Sequence, residues 1–220
     1  MEKKYQVFIS STYEDLKDER LGVIASLLTA NCIPVGMEQF TASGLSQWEY
    51  IKTMIDMSDY YILILAGRYG SVELESGLGY TEKEFDYAVN KNIPILAFLY
   101  SDINKLPVEK QDSDHALWER IDKFREKAKS SGYTVDHYSS VDELKYKVNA
   151  AINNAIKWTP AIGWVRADSI SDDTDKKNEI NDLNEQIAAI KKQVNSMPRI
   201  KIGHEEPTNL NNGDIYLQYE

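Results

Sequence analysis

Three carboxylates stand close together directly after a glycine-rich stretch, and their type and spacing could support chemistry. Glu82, Glu84 and Asp86 follow the stretch 67–79, which itself follows an apolar run. Thr81 and Glu84 have the spacing of a capping box, in which two side chains satisfy amides of the first helical turn, and the helix dipole also favours acids there. A glycine loop between a buried strand and a helix is equally a common place for a ligand. The acids therefore have both a structural and a functional interpretation.

The elements that must position these residues alternate between strand and helix. Apolar runs without alternation, such as Tyr61–Leu65, predict strands buried on both faces of a parallel sheet. Apolar residues at helical spacing predict the helices between them. The predicted strands lie at 5–9, 33–37, 59–65, 93–99 and 132–138, and the predicted helices begin near residues 12, 47, 81, 115 and 140. This pattern predicts an α/β domain with a flavodoxin-like, five-stranded parallel sheet.

A ligand crevice is expected at one edge of that sheet. In the flavodoxin-like order 2-1-3-4-5, the first and third strands are neighbours whose crossovers leave on opposite faces, and ligands bind at their carboxyl ends. Ser10 and Ser11 follow the first strand, and the segment 66–71 follows the third. Glu84 belongs to the helix that begins beside them. Asp59 opens the third strand and is interpreted as a hydrogen-bonding residue at the strand start.

Composition excludes several classes of function. The formal charge of −10 argues against a general nucleic-acid or anionic-membrane binder. The single cysteine, Cys32, lies among apolar residues and is predicted to be in the core. No signal peptide or membrane-spanning run is visible, so a cytoplasmic protein is expected. The three histidines are too scattered to predict a metal site.

The chain beyond the α/β domain has a different character. Asp175–Val194 is predicted to be a coiled-coil-like helix with an apolar heptad seam, interpreted either as an oligomerisation seam or as a face packed on the main domain. The seam is formed by Ile180, Leu183, Ile187, Ile190 and Val194. Two short alternating runs within 198–220 predict a small β-hairpin. Its last strand is interpreted as pairing with a partner or as a cut within a longer protein. The predicted division is 1–165, 166–197 and 198–220.

Several motifs together resemble a TIR-like domain family of unknown function, found at the N-terminus of NACHT, TPR and bacterial defence proteins. The first is VFISST at 7–12, followed by Asp15 and Arg20. The others are GRYGS at 67–71 and YTEKE at 80–84. The resemblance covers about residues 5–157.

The wider relatives of that family, TIR domains and nucleoside 2-deoxyribosyltransferases, imply an activity. They resemble this chain in placing a glutamate one helical turn before an alanine, here Glu84 and Ala88. In active members this glutamate works at the anomeric carbon of a ribosyl group. The resemblance therefore implies a hydrolase with Glu84 as its catalytic residue, acting on the N-glycosidic bond of NAD or a related nucleotide as substrate, with no resident cofactor, in antiphage defence. The alternative is a non-catalytic module that forms a homo-oligomer or senses a nucleotide.

The resemblance also suggests which residues would hold the nucleotide. The candidate substrate-binding residues are Ser10 and Ser11 for ribose or phosphate, Arg68 and the amides around Gly70 for phosphate, and Phe40, Tyr69 and Tyr80 for stacking on a base. Two of these roles have structural alternatives. Ser11 has the position of a helix cap, and Arg68 has Glu73 and Glu75 within reach as surface ion-pair partners.

Overall fold

The structure is a computed structural model that describes residues 2–39, 46–167, 174–197, 200–203, 213 and 215–218. The chain divides into two compact units, Met1–Val165 and Arg166–Glu220. The three-part division predicted from the sequence stays a prediction. Within the described part of the chain, no helix is long and apolar enough to cross a membrane.

The first unit is an open parallel sheet with helices on both faces. Its strands are β1 Gln6–Ser10, β2 Ile33–Gly36, β3 Tyr60–Leu65, β4 Ile95–Tyr100 and β5 Val135–Tyr138. Its helices are α1 Lys17–Thr29, α2 Gln47–Asp56, α3 Tyr80–Asn90, α4 His115–Ser130 and α5 Val141–Trp158, with short 3₁₀ turns at Met37–Gln39, Ile103–Lys105 and Val108–Lys110. The strand order is β2-β1-β3-β4-β5 and every pairing is parallel. The predicted flavodoxin-like fold is therefore confirmed.

The core lies on both faces of the sheet, and β3 belongs to both halves of it. All six residues of β3 are buried. Tyr60, Ile62 and Ile64 pack with α1 and α5, whereas the alternate residues of β3 pack with α2, α3 and α4. A strand covered on both faces reads as a continuous apolar run, which is why β3 could be located from the sequence. Cys32 is buried in the same core, as predicted.

The start of α1 differs from its prediction. The helix begins at Lys17, and its N-cap residue Leu16 makes no side-chain capping bond, so the predicted position of Ser11 as a helix cap is wrong. On this helix Leu28 is 60% exposed, whereas Arg20 is only 1% exposed. Arg20 follows Leu16 by four residues and precedes Val23 by three, so it shares their buried face.

Asp59 joins the start of β3 to two other segments. Its Oδ2 accepts a hydrogen bond from the amide of Gln6 at 2.9 Å, and its Oδ1 accepts one from the amide of Gly163 at 2.9 Å. The role predicted for Asp59 at the strand start is therefore confirmed.

The two outer strands of the sheet, β2 and β5, carry residues that disfavour pairing with a further strand. In β2 the amide of Ile33 donates to the carbonyl of Tyr5 at 2.8 Å, and the next residue, Pro34, has no amide hydrogen to donate. At the other side, β5 exposes Asp136 and His137. Both outer strands are short, with four residues each.

The second unit contains α6 Thr174–Ser196, β6 Ile200–Gly203 and β7 Ile215–Gln218. The predicted helix and the two short strands are present. The strands pair in parallel, however, so they do not form the predicted antiparallel hairpin. Parallel pairing needs a long connection between strands, and residues 204–214 separate these two. The five seam residues of α6 are 49–58% exposed in the single chain.

Candidate functional site

A cavity of about 680 Å³ opens where the sequence predicted a crevice. It is lined by residues that follow β1, residues that follow β3 and the first turn of α3. The lining includes four of the predicted site residues, namely Ser11, Arg68, Gly70 and Tyr80, together with Asp15 and Thr81. This is the switch point of the sheet, where crossovers leave on opposite faces and ligands of α/β proteins bind.

Glu84 lies one helical turn further along α3 than Tyr80, and its side chain turns toward β1. The hydroxyl of Ser10 donates to Oε2 of Glu84 at 2.5 Å, and Glu84 is 2% exposed. Among the described residues, Oε1 of Glu84 has no hydrogen-bond partner. The N-cap of α3 is Gly79, which has no side-chain capping bond. The capping-box interpretation of Glu84 is therefore wrong, because its carboxyl group accepts a hydrogen bond from the hydroxyl of Ser10 and not from the amide of Thr81.

The environment of Glu84 changes its acidity. Burial raises the pKa of Glu84 to about 7, although the Ser10 hydrogen bond and the Arg20 charge both lower it. Tyr61 also lies beside this carboxyl, and burial raises the pKa of its phenol well above the usual value. At neutral pH Glu84 is therefore divided between its protonated and ionised forms. Strongly shifted carboxyls next to a cleft are frequent at functional sites.

Arg20 holds two of the lining residues in place. Its guanidinium pairs with Glu38 through Nε–Oε1 at 2.5 Å and Nη2–Oε2 at 2.8 Å. Nη1 donates to the hydroxyl of Ser11 at 2.9 Å and to the carbonyl of Ile9 at 3.2 Å. The close approach requires Gly36, since a Cβ there would lie 2.7 Å from Nη2 of Arg20. Arg20 thus lies on the buried side of α1, although it is a charged residue.

Ser11 is fixed by this network and not by helix capping. Its hydroxyl accepts from Arg20 and donates to the carbonyl of Thr12 at 2.7 Å. Burial alone would raise the pKa of Glu38, but the adjacent Arg20 charge brings that pKa below its usual value. Glu38 is therefore ionised at neutral pH, and the pair with Arg20 is a true ion pair.

Arg68 faces the cavity and does not form the surface ion pair considered from the sequence. Its Nη2 donates to the carbonyl of Glu109 at 2.7 Å, whereas Glu73 pairs with Lys83. Within the described ranges, the buried Nε of Arg68 has no hydrogen-bond partner. One edge of the guanidinium is thus anchored, and the charge remains close to the cavity, where an anionic group could bind it.

The three predicted aromatic residues have different positions. Tyr69 is buried, donates to Glu82 at 2.6 Å and accepts from the amide of Gly79 at 3.0 Å, so it stabilises the loop before α3. Tyr80 lines the cavity and is partly exposed. Phe40 lies outside the described residues. Stacking on a base stays a prediction, and Tyr80 is the residue best placed for it.

The described part of the chain contains no group of three or more histidine, cysteine, aspartate or glutamate side chains arranged to hold a metal ion. Two acids near the cavity are instead paired with separate cations, Glu38 with Arg20 and Glu19 with Lys110. The site therefore combines the desolvated carboxyl group of Glu84 with a neighbouring cavity that is lined on one side by the cation Arg68.

The fold and the site define an open parallel α/β domain of flavodoxin-like order with a cavity at its switch point. A family model described as a domain of unknown function (DUF4062) matches residues 6–153, and the chain belongs to this family. The resemblance to a domain family of unknown function is thereby confirmed. No curated protein matches the chain.

Several solved structures are similar to the chain at low identity. The TIR domains of the activated Roq1 resistosome, which directly recognises the pathogen effector XopQ, are 15% identical, cover 70% of this chain and 99% of their own, with a TM-score of 0.47. A prokaryotic SEFIR domain is 18% identical over 58% of this chain and 92% of its own, with a TM-score of 0.35. A flavo di-iron protein from Thermotoga maritima is 17% identical over 71% of this chain and 36% of its own, with a TM-score of 0.38.

Proposed function

We propose that this domain cleaves the N-glycosidic bond of NAD or a related nucleotide, with Glu84 as the carboxylate that acts on the ribosyl group. The observation that supports the proposal is the placement of Glu84. Its carboxyl is desolvated, is held by Ser10 through one oxygen, and has its other oxygen without a partner in the described chain. Ser10 directly precedes Ser11, which lines the cavity.

The chemistry needs a carboxylate at this place. Breaking the bond between C1′ and the nicotinamide nitrogen gives the electron pair to the pyridinium ring, so nicotinamide leaves as a neutral molecule without a proton donor. The ribosyl group passes through an oxocarbenium-like state. The ionised form of Glu84 would stabilise that positive charge or trap it covalently, and water would then add at C1′ and lose a proton to solvent.

The remaining residues would bind the substrate. Arg68 supplies a fixed positive charge for a phosphate, and the loop amides around Gly70 can add hydrogen bonds. Ser11 is oriented by Arg20, and Tyr80 offers a partly exposed ring. To reach C1′, the carboxyl of Glu84 has to turn from Ser10 into the cavity.

In this proposal NAD is a substrate, and cleavage takes place in the cytoplasm as part of antiphage defence, which is the setting implied by the resemblance to bacterial defence proteins.

The direct test is nicotinamide release from NAD by the purified chain at high protein concentration. Glu84→Gln should lower release by at least about 100-fold, the usual effect of removing a group that stabilises transition-state charge. Glu119→Gln makes the same chemical change at an exposed site on α4 and should leave the rate unchanged. Equal release by the wild type and Glu84→Gln would exclude Glu84 as the catalytic group. Absence of release from a well-folded wild type would favour the second function below.

A second candidate function is homo-oligomerisation, and it is favoured by the exposed seam of α6. The seam residues step by three and four and stay about half exposed in the single chain. Ile180, Ile187 and Val194 occupy one heptad position and are β-branched, the arrangement that favours parallel two-stranded coiled coils when they are at position a. A short coil of this kind is marginal alone, so it would add to other contacts between copies.

Substituting a seam residue should therefore reduce self-association. Ile187→Lys introduces a charge into the centre of the seam and is expected to shift the chain to monomer, measured as mass by light scattering over a range of concentrations. Ala188→Lys adds the same side chain at the neighbouring position outside the seam and should keep the wild-type mass. A wild type that is monomeric at the highest concentration would contradict the proposed seam.

A further inference from the structure

Asp15 is a second buried carboxyl at the cavity, and the role proposed for Glu84 does not use it. It lies in the segment between β1 and α1, lines the cavity and is 5% exposed. Among the residues that the structure describes, neither of its carboxylate oxygens has a hydrogen-bond partner of good geometry. By contrast, the buried carboxyl of Glu19 nearby is paired with Lys110 at 2.6 Å.

An unpaired carboxylate in this position destabilises the protein when the cavity is empty. Removing an ionised carboxyl from water without a partner is strongly unfavourable unless the group is neutralised. Burial raises the pKa of Asp15, whereas Thr12 and the positive charges of Arg68 and Lys110 oppose that shift. Arg68 and Lys110 therefore favour the ionised form of Asp15 without forming a close ion pair with it. A ligand with hydrogen-bond donors would relieve this penalty.

The chemistry of a carboxylate limits what that ligand group can be. An ionised carboxylate accepts hydrogen bonds through two oxygens and donates none, so it repels a phosphate and favours a pair of adjacent donors. The vicinal hydroxyls of a ribose are such a pair, and acidic residues recognise ribose hydroxyls in dinucleotide sites of α/β proteins. Arg68 lines the same cavity, so a hydroxyl-binding group and a phosphate-binding group occur together.

We propose that Asp15 binds the vicinal hydroxyls of a ribose in the ligand and thereby selects ribonucleotides over their 2′-deoxy counterparts. This inference rests on the proposed function, because it assumes a nucleotide in the cavity. It concerns recognition and not the bond-breaking step, so Asp15 is a specificity-determining residue that acts in binding.

The test measures binding separately from turnover. In a Glu84→Gln background, which blocks cleavage, calorimetry compares NAD with analogues that lack the 2′-hydroxyl of one or the other ribose. With Asp15 present, one analogue should bind at least about 10-fold more weakly than NAD, since hydrogen bonds to a charged group contribute roughly 1.5–3 kcal/mol. Asp15→Asn should remove that preference and weaken NAD binding by a similar factor.

The control is Asp18→Asn, which makes the same change at an exposed position on α1 and should keep the preference. Asp15→Asn removes an unpaired buried charge, so its thermal midpoint should equal or exceed that of the parent protein. Equal binding of NAD and both analogues, no binding of any of them, or a lower midpoint for Asp15→Asn would overturn the inference. Ribose-selective binding without nicotinamide release by the wild type would overturn the proposed cleavage instead and leave the role of Asp15 intact.

Discussion

Arg20→Met is expected to lower the free energy of unfolding by about 3 kcal/mol. Removing one member of a buried ion pair leaves the other charge without compensation, at about 3–5 kcal/mol. The lower value applies because the Glu38 side chain keeps 29% exposure and can recover some hydration. The same substitution removes the hydrogen bonds from Arg20 to Ser11 and to the carbonyl of Ile9. The measurement is the midpoint of urea unfolding, with the slope confirmed to be unchanged.

Two comparisons separate the ion pair from a general effect of losing a charge on α1. Lys17→Met removes an exposed cation that pairs with exposed Glu14, and it should change stability by less than about 0.5 kcal/mol. Arg20→Met combined with Glu38→Leu removes both charges and should recover at least about 1 kcal/mol relative to Arg20→Met alone. If the double variant loses as much free energy of unfolding as the two single substitutions lose together, the stabilising interaction assigned to Arg20 and Glu38 is wrong.

Glu84→Gln is expected to make the protein more stable than the wild type at pH 8 by about 3 kcal/mol, and equally stable near pH 4. Burial raises the pKa of Glu84 from 4.5 to about 7 in the folded protein. Between these values the folded protein holds a proton that the unfolded chain has lost, so wild-type stability falls as pH rises through 7. A difference of about 2.5 pKa units corresponds to about 3 kcal/mol. Glutamine stays neutral and avoids this loss.

The measurement is the free energy of unfolding of both proteins between pH 4 and pH 8. Glu119→Gln is the matched control, because Glu119 is exposed and its replacement should give a curve parallel to that of the wild type. Parallel curves for Glu84→Gln and the wild type would show that Glu84 titrates normally. A variant that gains stability while losing nicotinamide release would show the exchange of stability for activity that is common at functional sites.

The fold could be predicted from the sequence because a strand that is buried on both faces of the sheet is a continuous apolar run in the sequence. The continuous apolar run of β3 and the helical spacing of the apolar residues in α5 are local signals, and each element was located within a few residues. The strand order was chosen as a common arrangement of such alternating elements, and the structure confirms it. The predicted hairpin failed because two short strands and a turn-rich connection carry no information about whether the pairing is parallel or antiparallel.

The candidate site was harder to predict because its contacts join residues that are distant in the chain. Thr81 and Glu84 satisfied the local spacing of a capping box, but Glu84 is bonded to Ser10, 74 residues away. A local pattern cannot decide between those partners. Arg20 is different, since its position four residues after Leu16 and three before Val23 did carry the signal of a buried cation. In this chain, a cation on the apolar face of α1 therefore indicated a buried polar network beside the cavity.

The outer strands of the sheet restrict how copies of this domain can assemble. Pro34 of β2 has no amide hydrogen to donate, and the charged residue Asp136 is exposed along β5. Proline, charge and short length are the features by which natural sheets resist the addition of a strand from another molecule. The two outer strands therefore disfavour growth of the sheet by addition of a strand from another copy, which lowers the tendency toward amyloid-like aggregation.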